Sequence, residues 1–308
     1  MLQILKKKAF CRGMSMNTLA RVLDARVSLL ILVLSIGGAS GFTYADTTQR
    51  IVSVAGSVTE IVYALDLQSK LVGVDTTSQW PQVATALPQV GYQRALSAEG
   101  ILSLAPSVVL ATADAGPPEI MQQLIDAGIR IETFARDYSV GGLNERIRQI
   151  GKWFDREEEA QSLIVDVMAD LTKTKERVRL RESPRVVFLL GTQSGSAMAA
   201  GRNTSAHAMI EYAGGSNPLE SYEGYKPVNA EALIAAAPDV LVVVSHGGDI
   251  EQNIAESAAA LPGVALTPAG VDNRIIVVDA LRFLGFGPRS TKAILELATQ
   301  LHPFPNTR

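Results

Sequence analysis

Cysteine and histidine are scarce in this chain of 308 residues. The one cysteine is Cys11, and the three histidines are His207, His246 and His302. A single cysteine cannot form a disulfide bond within the chain, and it provides no thiolate cluster for a structural metal ion. Three histidines spread this widely do not predict a zinc site either. The sequence gives no sign of a metal held by the usual sulfur and nitrogen ligands.

Positive charge is also lacking outside the N-terminal segment. The whole chain has 28 Lys and Arg and 31 Asp and Glu, a net charge of −3. Six of the basic residues but only one of the acidic residues lie in 1–45, so residues 46–308 have 22 bases, 30 acids and a net charge of −8. Because nucleic acid binding needs a basic surface, we do not expect a nucleic acid partner.

Residues 1–45 have the pattern of a secretory signal peptide. A basic segment precedes an uncharged apolar run at 27–42, and Ala45 completes a small-x-Ala cleavage site. The run is shorter than the roughly 20 apolar residues of a membrane span, although the long basic segment leaves an uncleaved anchor as an alternative. Initiation at Met14 or Met16 would give a signal of ordinary length. We therefore expect cleavage after residue 45 and export to the periplasm.

From Arg50 onward, short β-branched runs alternate with helical patterns, which predicts an α/β protein with two parallel-sheet lobes. A helix begins at Gly56-Ser57, where Ser57 and Glu60 have capping-box spacing. Two further helices are predicted at 118–127 and 205–213. The predicted strands are 50–54, 71–74, 107–111, 129–134, 185–190, 240–244 and 274–278.

A charged segment from Glu157 to about Glu182 lies between the two series of strands. It contains neither proline nor glycine, and its apolar residues recur mostly at helical spacing. About 26 helical residues would make a rod of roughly 39 Å, long enough to brace two lobes. A coiled-coil helix is the alternative, but the apolar stripe lasts only about three heptads. We assign 46–150 to an N-terminal lobe, 151–183 to a bridging helix and 184–308 to a C-terminal lobe.

One internal repeat relates the two lobes. Residues 98–110 match residues 230–242 at a constant offset of 132, and each copy predicts a short helix, a proline stop and a buried strand. Glu99 and Glu231 lie at the same place in the two copies, near the helix start. Favourable electrostatics at a helix N-terminus would explain either glutamate alone.

Signals for an enzyme are poor. The sequence has no complete nucleophile elbow, dinucleotide fingerprint or Walker A loop. Several acids follow predicted strands, and we interpret Asp75, Asp114, Asp137 and Asp249 as loop and cap residues. We therefore expect no catalytic activity.

The segment Gly91-Tyr92-Gln93-Arg94 carries a distinctive chemistry. If the backbone is extended there, Arg94 projects to the same side as Tyr92. A cation beside a phenol lowers a pKa that starts near about 10, and tyrosine is a known haem ligand. Packing and loop hydrogen bonding are the commoner reasons for such residues.

The segment 90–102, VGYQRALSAEGIL, closely resembles the haem-ligand loop of the periplasmic haemin-binding proteins that serve haem ABC importers. The wider family also includes carriers of cobalamin and ferric siderophores, and its members share two α/β lobes joined by one long helix. The resemblance covers nearly all of 50–302. It extends through residues 50–60, 198–201, 213–215 and 285–289.

The resemblance implies roles for particular residues. Tyr92 is similar to the axial ligand of ferric haem, so the only metal expected is the haem iron. Arg94 is similar to the group that polarises its phenolate. Arg289 is similar to a second-lobe arginine that faces the ligand. Some relatives add an axial histidine from the second lobe, for which His207 is the nearest candidate, although five-coordinate iron is expected.

The resemblance also implies a partner. Glu99 and Glu231 resemble the paired acids with which this family docks onto arginines of the two permease subunits. The expected protein is thus a monomeric periplasmic carrier that takes ferric haem to an inner-membrane ABC permease dimer. A carrier of a ferric siderophore or cobalamin with the same fold is the nearest alternative. A haem-processing enzyme or a haem sensor is a more remote one.

Overall fold

The computed structural model describes residues 49–192, 197–246 and 250–303. The predicted signal peptide, its cleavage site and Asp249 lie outside these residues. In the part that is described, no helix combines the length and apolar character needed to cross a bilayer.

The N-terminal half forms a parallel sheet with the strand order β2-β1-β5-β6, together with a separate two-stranded hairpin of β3 and β4. Strand β1 is buried along its whole length, as expected for a strand covered by helices on both faces. The elements are β1 (Ile51–Val54), α1 (Gly56–Ala64), β2 (Leu71–Val74), β3 (Gly91–Tyr92), β4 (Ala95–Leu96), α2 (Ala98–Ser103), β5 (Val108–Thr112), α3 (Pro118–Asp126), β6 (Arg130–Phe134) and α4 (Val140–Trp153), with 3₁₀ turns at Gln68–Lys70 and Gln82–Ala86.

The C-terminal half forms a five-stranded sheet with the order β11-β10-β7-β8-β9. Strands β7, β10 and β11 are parallel, whereas β8 and β9 are antiparallel additions that the sequence pattern did not predict. The elements are β7 (Val186–Leu190), β8 (Ala197–Ala200), α6 (Ser205–Tyr212), β9 (Tyr225–Val228), α7 (Ala230–Ala236), β10 (Val240–Ser245), α8 (Glu251–Ala259), α9 (Pro268–Val271), β11 (Ile275–Asp279), α10 (Ala280–Leu284) and α11 (Ser290–Leu301), with a 3₁₀ turn at Val264–Leu266.

One long helix, α5 (Glu157–Val178), runs between the two sheets. Its 22 residues span about 33 Å, and it packs against α4 of the first half and α11 of the second. Its buried stripe is Ala160, Ile164, Val167 and Leu171, and these side chains belong to a hydrophobic cluster that continues into both sheets. The expected two-lobe α/β architecture is confirmed. The helix ends at Val178, four residues before Glu182, because the backbone of Arg179 turns to a ψ of 127° and leaves the helical conformation.

The predicted capping box at α1 is wrong. Ala55, with a φ of 107°, precedes the helix, and Ser57 lies inside its first turn. The loop after β2 caps the helix instead. The Asp75 carboxylate accepts a hydrogen bond from the Ala55 N–H at 3.0 Å, and the Thr77 hydroxyl accepts one from the Gly56 N–H at 3.0 Å. Asp75 is therefore a cap residue, as interpreted from the sequence.

Candidate functional site

A cleft of about 600 Å³ lies between the two sheets. It opens at the carboxyl ends of the parallel strands, where β5 contributes Thr112, β7 contributes Leu190, β10 contributes Ser245 and β11 contributes Asp279. Ligands of open α/β sheets bind at this edge, and the volume is within the usual range of about 300–1,000 Å³ for small-molecule sites. The cleft is therefore the candidate binding site.

The β3–β4 hairpin brings Tyr92 to the cleft wall. Gly91 has a φ of 101°, and a Cβ atom there would lie 2.7 Å from the Ala95 carbonyl oxygen, so the hairpin requires glycine at this position. The Tyr92 side chain is large and apolar in its ring, yet the residue is 43% exposed. Among the residues that the structure describes, none forms a hydrogen bond with its hydroxyl. A phenolate oxygen at this place would be free to coordinate a metal ion.

Arg94 also lines the cleft, but the extended backbone considered for residues 92–94 is absent. Gln93 and Arg94 form the hairpin turn, and the Arg94 guanidinium lies 3.5 Å from the Asp114 carboxylate. The other oxygen of Asp114 pairs with Arg136, a cleft residue that the sequence pattern did not single out. Two exposed arginines thus share one carboxylate, which leaves a net positive charge on this wall.

A third cation in the cleft wall is buried. Arg146 lies on the inner face of α4 and is only 6% exposed. Its guanidinium carbon lies 5.9 Å from the centre of the Phe134 ring. Burial lowers the pKa of Arg146, while the nearby Asp137 and Tyr138 raise it. In sequence Arg146 resembles any basic residue of an amphipathic helix, so no local signal identifies it.

The second half supplies an apolar wall and several hydroxyls. Leu281, Leu284 and Phe286 line the cleft from α10 and the turn that follows it. Tyr225 and Ser205 also line the cleft, and burial raises the pKa of Tyr225, so this phenol stays protonated at neutral pH. The arrangement suits a ligand with large apolar faces.

The structure places a different histidine at the cleft from the one expected. His207 lies on α6, outside the cleft lining, with its Nδ1 3.3 Å from the Asn217 amide nitrogen. His246 lines the cleft directly after β10. Its position at the carboxyl end of a predicted parallel strand is the signal that identifies it. Tyr92 and His246 are cleft side chains that are able to bind iron.

Arg289 joins the two lobes rather than lining the cleft. Its Nη2 donates a hydrogen bond to Oε1 of Glu60 on α1 at 2.6 Å, and its guanidinium carbon lies 4.5 Å from the centre of the Trp80 ring. Burial raises the pKa of Glu60, and the arginine opposes that rise. The geometry makes this pair a link between lobes.

Glu99 and Glu231 occupy equivalent places on α2 and α7. Each glutamate is exposed and is the second residue of its helix, and the caps Ser97 and Asn229 accept a hydrogen bond from the N–H three residues on. A left-handed alanine and then a proline follow each helix, and an inner parallel strand comes next. The two acids therefore lie on corresponding helices of the two lobes, as the internal repeat predicts.

Known proteins resemble this chain in fold and sequence. The structure of the periplasmic haem-binding protein BhuT in complex with two haems matches with a TM-score of 0.77 and 38% identity, covering 82% of this chain and 97% of that one. The uncharacterised ABC transporter substrate-binding lipoprotein YvrC of Bacillus subtilis is 26% identical over 259 residues, which is 83% of this chain and 80% of that protein. The vitamin B12-binding protein of Vibrio campbellii is 27% identical over 199 residues, 64% of this chain and 71% of that protein.

These matches confirm the family resemblance noted at residues 90–102. The model of the periplasmic binding protein family covers residues 51–281. That range includes both sheets, the long helix and most of the cleft lining. This chain therefore belongs to the periplasmic binding proteins, which are the substrate-binding components of ABC transporters.

Proposed function

We propose that this protein binds ferric haem in its interlobe cleft and delivers it to an ABC permease. The observation that carries the proposal is Tyr92, which a glycine-dependent hairpin places in the cleft wall and whose hydroxyl has no hydrogen-bond partner among the described residues. The phenolate is a hard oxygen donor that suits ferric iron. The similarity to a haem-bound relative supports the same ligand.

The rest of the cleft suits the other parts of haem. The apolar side chains Leu281 and Leu284 would contact the porphyrin faces. Arg94 and Arg136 supply positive charge for the propionates, and among the described residues each pairs only with the shared carboxylate of Asp114. No chemical turnover is part of this function.

We further propose that residues 1–45 direct export to the periplasm, where the lobes at 46–150 and 184–308 are joined through 151–183. Glu99 and Glu231 would then dock one lobe onto each permease subunit, since one exposed acid on each lobe matches a two-fold partner. Because α5 packs against both lobes, we expect small lobe movements and a release step that depends on the docked permease.

Titration with ferric haem, followed by absorbance, tests the proposal. The purified protein should bind haem with a tyrosinate-to-iron charge-transfer band, and Tyr92→Phe should abolish the band. Mutation of a residue that only supports a metal ligand weakens metal binding by about 10- to 100-fold. Loss of the ligand itself should weaken haem binding by at least that factor. Tyr63→Phe, a change on α1 outside the cleft lining, is the matched control. An unchanged spectrum in Tyr92→Phe contradicts the proposal.

Cobalamin is the second candidate ligand, because a vitamin B12-binding protein is among the relatives. A parallel titration with cyanocobalamin separates the two candidates. Saturable binding of cobalamin without binding of haem would replace the haem proposal with the cobalamin one.

A further inference from the structure

Arg146 is the buried cation of the cleft, and it is unpaired. Its side chain forms neither a hydrogen bond nor an ion pair with any described residue, and its Nε atom is buried without a partner. The other arginines discussed above all have carboxylate partners. Arg94 and Arg136 share Asp114, and Arg289 pairs with Glu60.

The surroundings compensate this charge only in part. The Phe134 ring offers a cation–π contact worth about 1 kcal/mol, whereas burying an unpaired charge costs several kcal/mol. Asp137 attracts Arg146 electrostatically, but it forms no ion pair with it, and its Oδ1 accepts a hydrogen bond from the Ser139 N–H at 2.8 Å. A buried cation of this kind is stable only if something else supplies a negative group.

The cleft gives Arg146 access to such a group, because Arg146, Asp137 and Tyr138 all line it. We propose that Arg146 is an anion subsite within the cleft that takes one carboxylate of the bound ligand, a proposal that rests on the proposed haem function. A guanidinium binds a planar carboxylate through two parallel N–H donors. The neighbouring Asp137 disfavours an anion with more than one charge, so a propionate suits the subsite better than a phosphate.

The subsite would determine which ligands the cleft accepts. Tyr92 and Arg146 both belong to the first half of the chain, so one lobe would hold the iron and a carboxylate of the same molecule. Cobalamin carries neutral amides at its edge, which cannot neutralise the arginine. Binding it would leave Arg146 buried and unpaired.

Paired titrations with two porphyrins test this subsite. Ferric protoporphyrin IX has two free propionates, and its dimethyl ester has none. Arg146→Met should weaken binding of the free acid by about 10- to 100-fold, the worth of a hydrogen bond to a charged group, and leave binding of the ester unchanged. Arg148→Met is the matched control, since Arg148 lies on the same helix, is exposed and pairs with Glu145. Its binding of both porphyrins should equal that of the wild type.

Stability separates a binding role from a structural one. Without ligand, Arg146→Met should unfold at the same temperature as the wild type or higher, because an unpaired buried charge is replaced by an apolar side chain of similar length. Equal weakening for the acid and the ester, together with a lower unfolding temperature, overturns the proposal. Unchanged binding of the free acid overturns it as well.

The two proposals fail in different ways. If the wild type binds no ferric porphyrin, the proposed function is refuted. The proposed subsite can then be tested with metal-free protoporphyrin IX, which has both carboxylates and needs no iron ligand. Binding of this probe that weakens in Arg146→Met and persists in Tyr92→Phe supports the subsite, and equal binding to wild type and Arg146→Met refutes it.

Discussion

The ion pair between Glu60 and Arg289 links the two lobes, and removing its arginine with Arg289→Met should destabilise the fold. The two side chains are 4% and 25% exposed, and their charged atoms are 2.6 Å apart. Methionine keeps an apolar stem beside Trp80 but removes the charge. Glu60 then remains buried without its partner, with an Oε2 atom that already lacks a hydrogen bond among the described residues.

The magnitude follows from this burial. Removing one partner of a buried ion pair costs about 3–5 kcal/mol. Because Arg289 is partly exposed, we expect the lower end, about 3 kcal/mol at pH 8. For a chain of this size that corresponds to a fall of about 6–12 °C in the unfolding midpoint.

The loss should depend on pH, with a sign set by Glu60. Burial raises the pKa of Glu60 above its ordinary value of 4.5, and Arg289 opposes the rise. A carboxyl group with a raised pKa binds more protons in the folded state, so it destabilises the fold as the pH rises above 4.5. Without Arg289 the pKa rises further. The variant should therefore lose most stability at pH 8 and less at pH 5, where Glu60 can take up a proton.

Urea unfolding of the ligand-free protein at pH 8 and pH 5, followed by circular dichroism, measures both effects. Arg282→Met is the matched control, since Arg282 pairs with Glu296 within one lobe at 2.8 Å and the pair is more exposed. The control should lose about 0–1 kcal/mol at either pH. A loss for Arg289→Met that is as small as that of the control, or that is equal at the two pH values, refutes the reasoning.

Two further predictions concern the hairpin and the docking acids. Gly91→Ala should lower the free energy of unfolding by about 1–3 kcal/mol and weaken haem binding, because the positive φ and a nearby carbonyl oxygen leave no room for a side chain. Gly128→Ala is the control, since Gly128 also has a positive φ but has open space around it. It should leave the haem titration unchanged. Glu99→Gln combined with Glu231→Gln should reduce haem uptake by permease vesicles without changing haem affinity, with the exposed Glu119→Gln as control; undiminished uptake would contradict the docking role.

The sequence predicts those parts of the fold where burial determines the pattern. Strand β2 has the predicted bounds, and the bounds of β5, β7 and β10 differ from the predicted ones by at most one residue, because these strands are mostly buried and rich in β-branched residues. Strands β8 and β9 were missed for a physical reason. Strand β8 is mostly alanine, and β9 contains Pro227 and lies at the edge of its sheet, where proline is tolerated.

The cleft was harder to predict, because the role of an arginine depends on which carboxylate it reaches. Arg289 lies in a segment that resembles a ligand-facing one, yet Glu60, more than 200 residues away in sequence, neutralises it. Arg146 is one of several basic residues on an amphipathic helix, and only the three-dimensional structure shows that it lacks a carboxylate partner among the described residues. Local pattern locates charged residues, whereas long-range pairing decides which charges remain available to a ligand. The arginine left unpaired is therefore better evidence for the chemistry of the cargo than the number of arginines near the cleft.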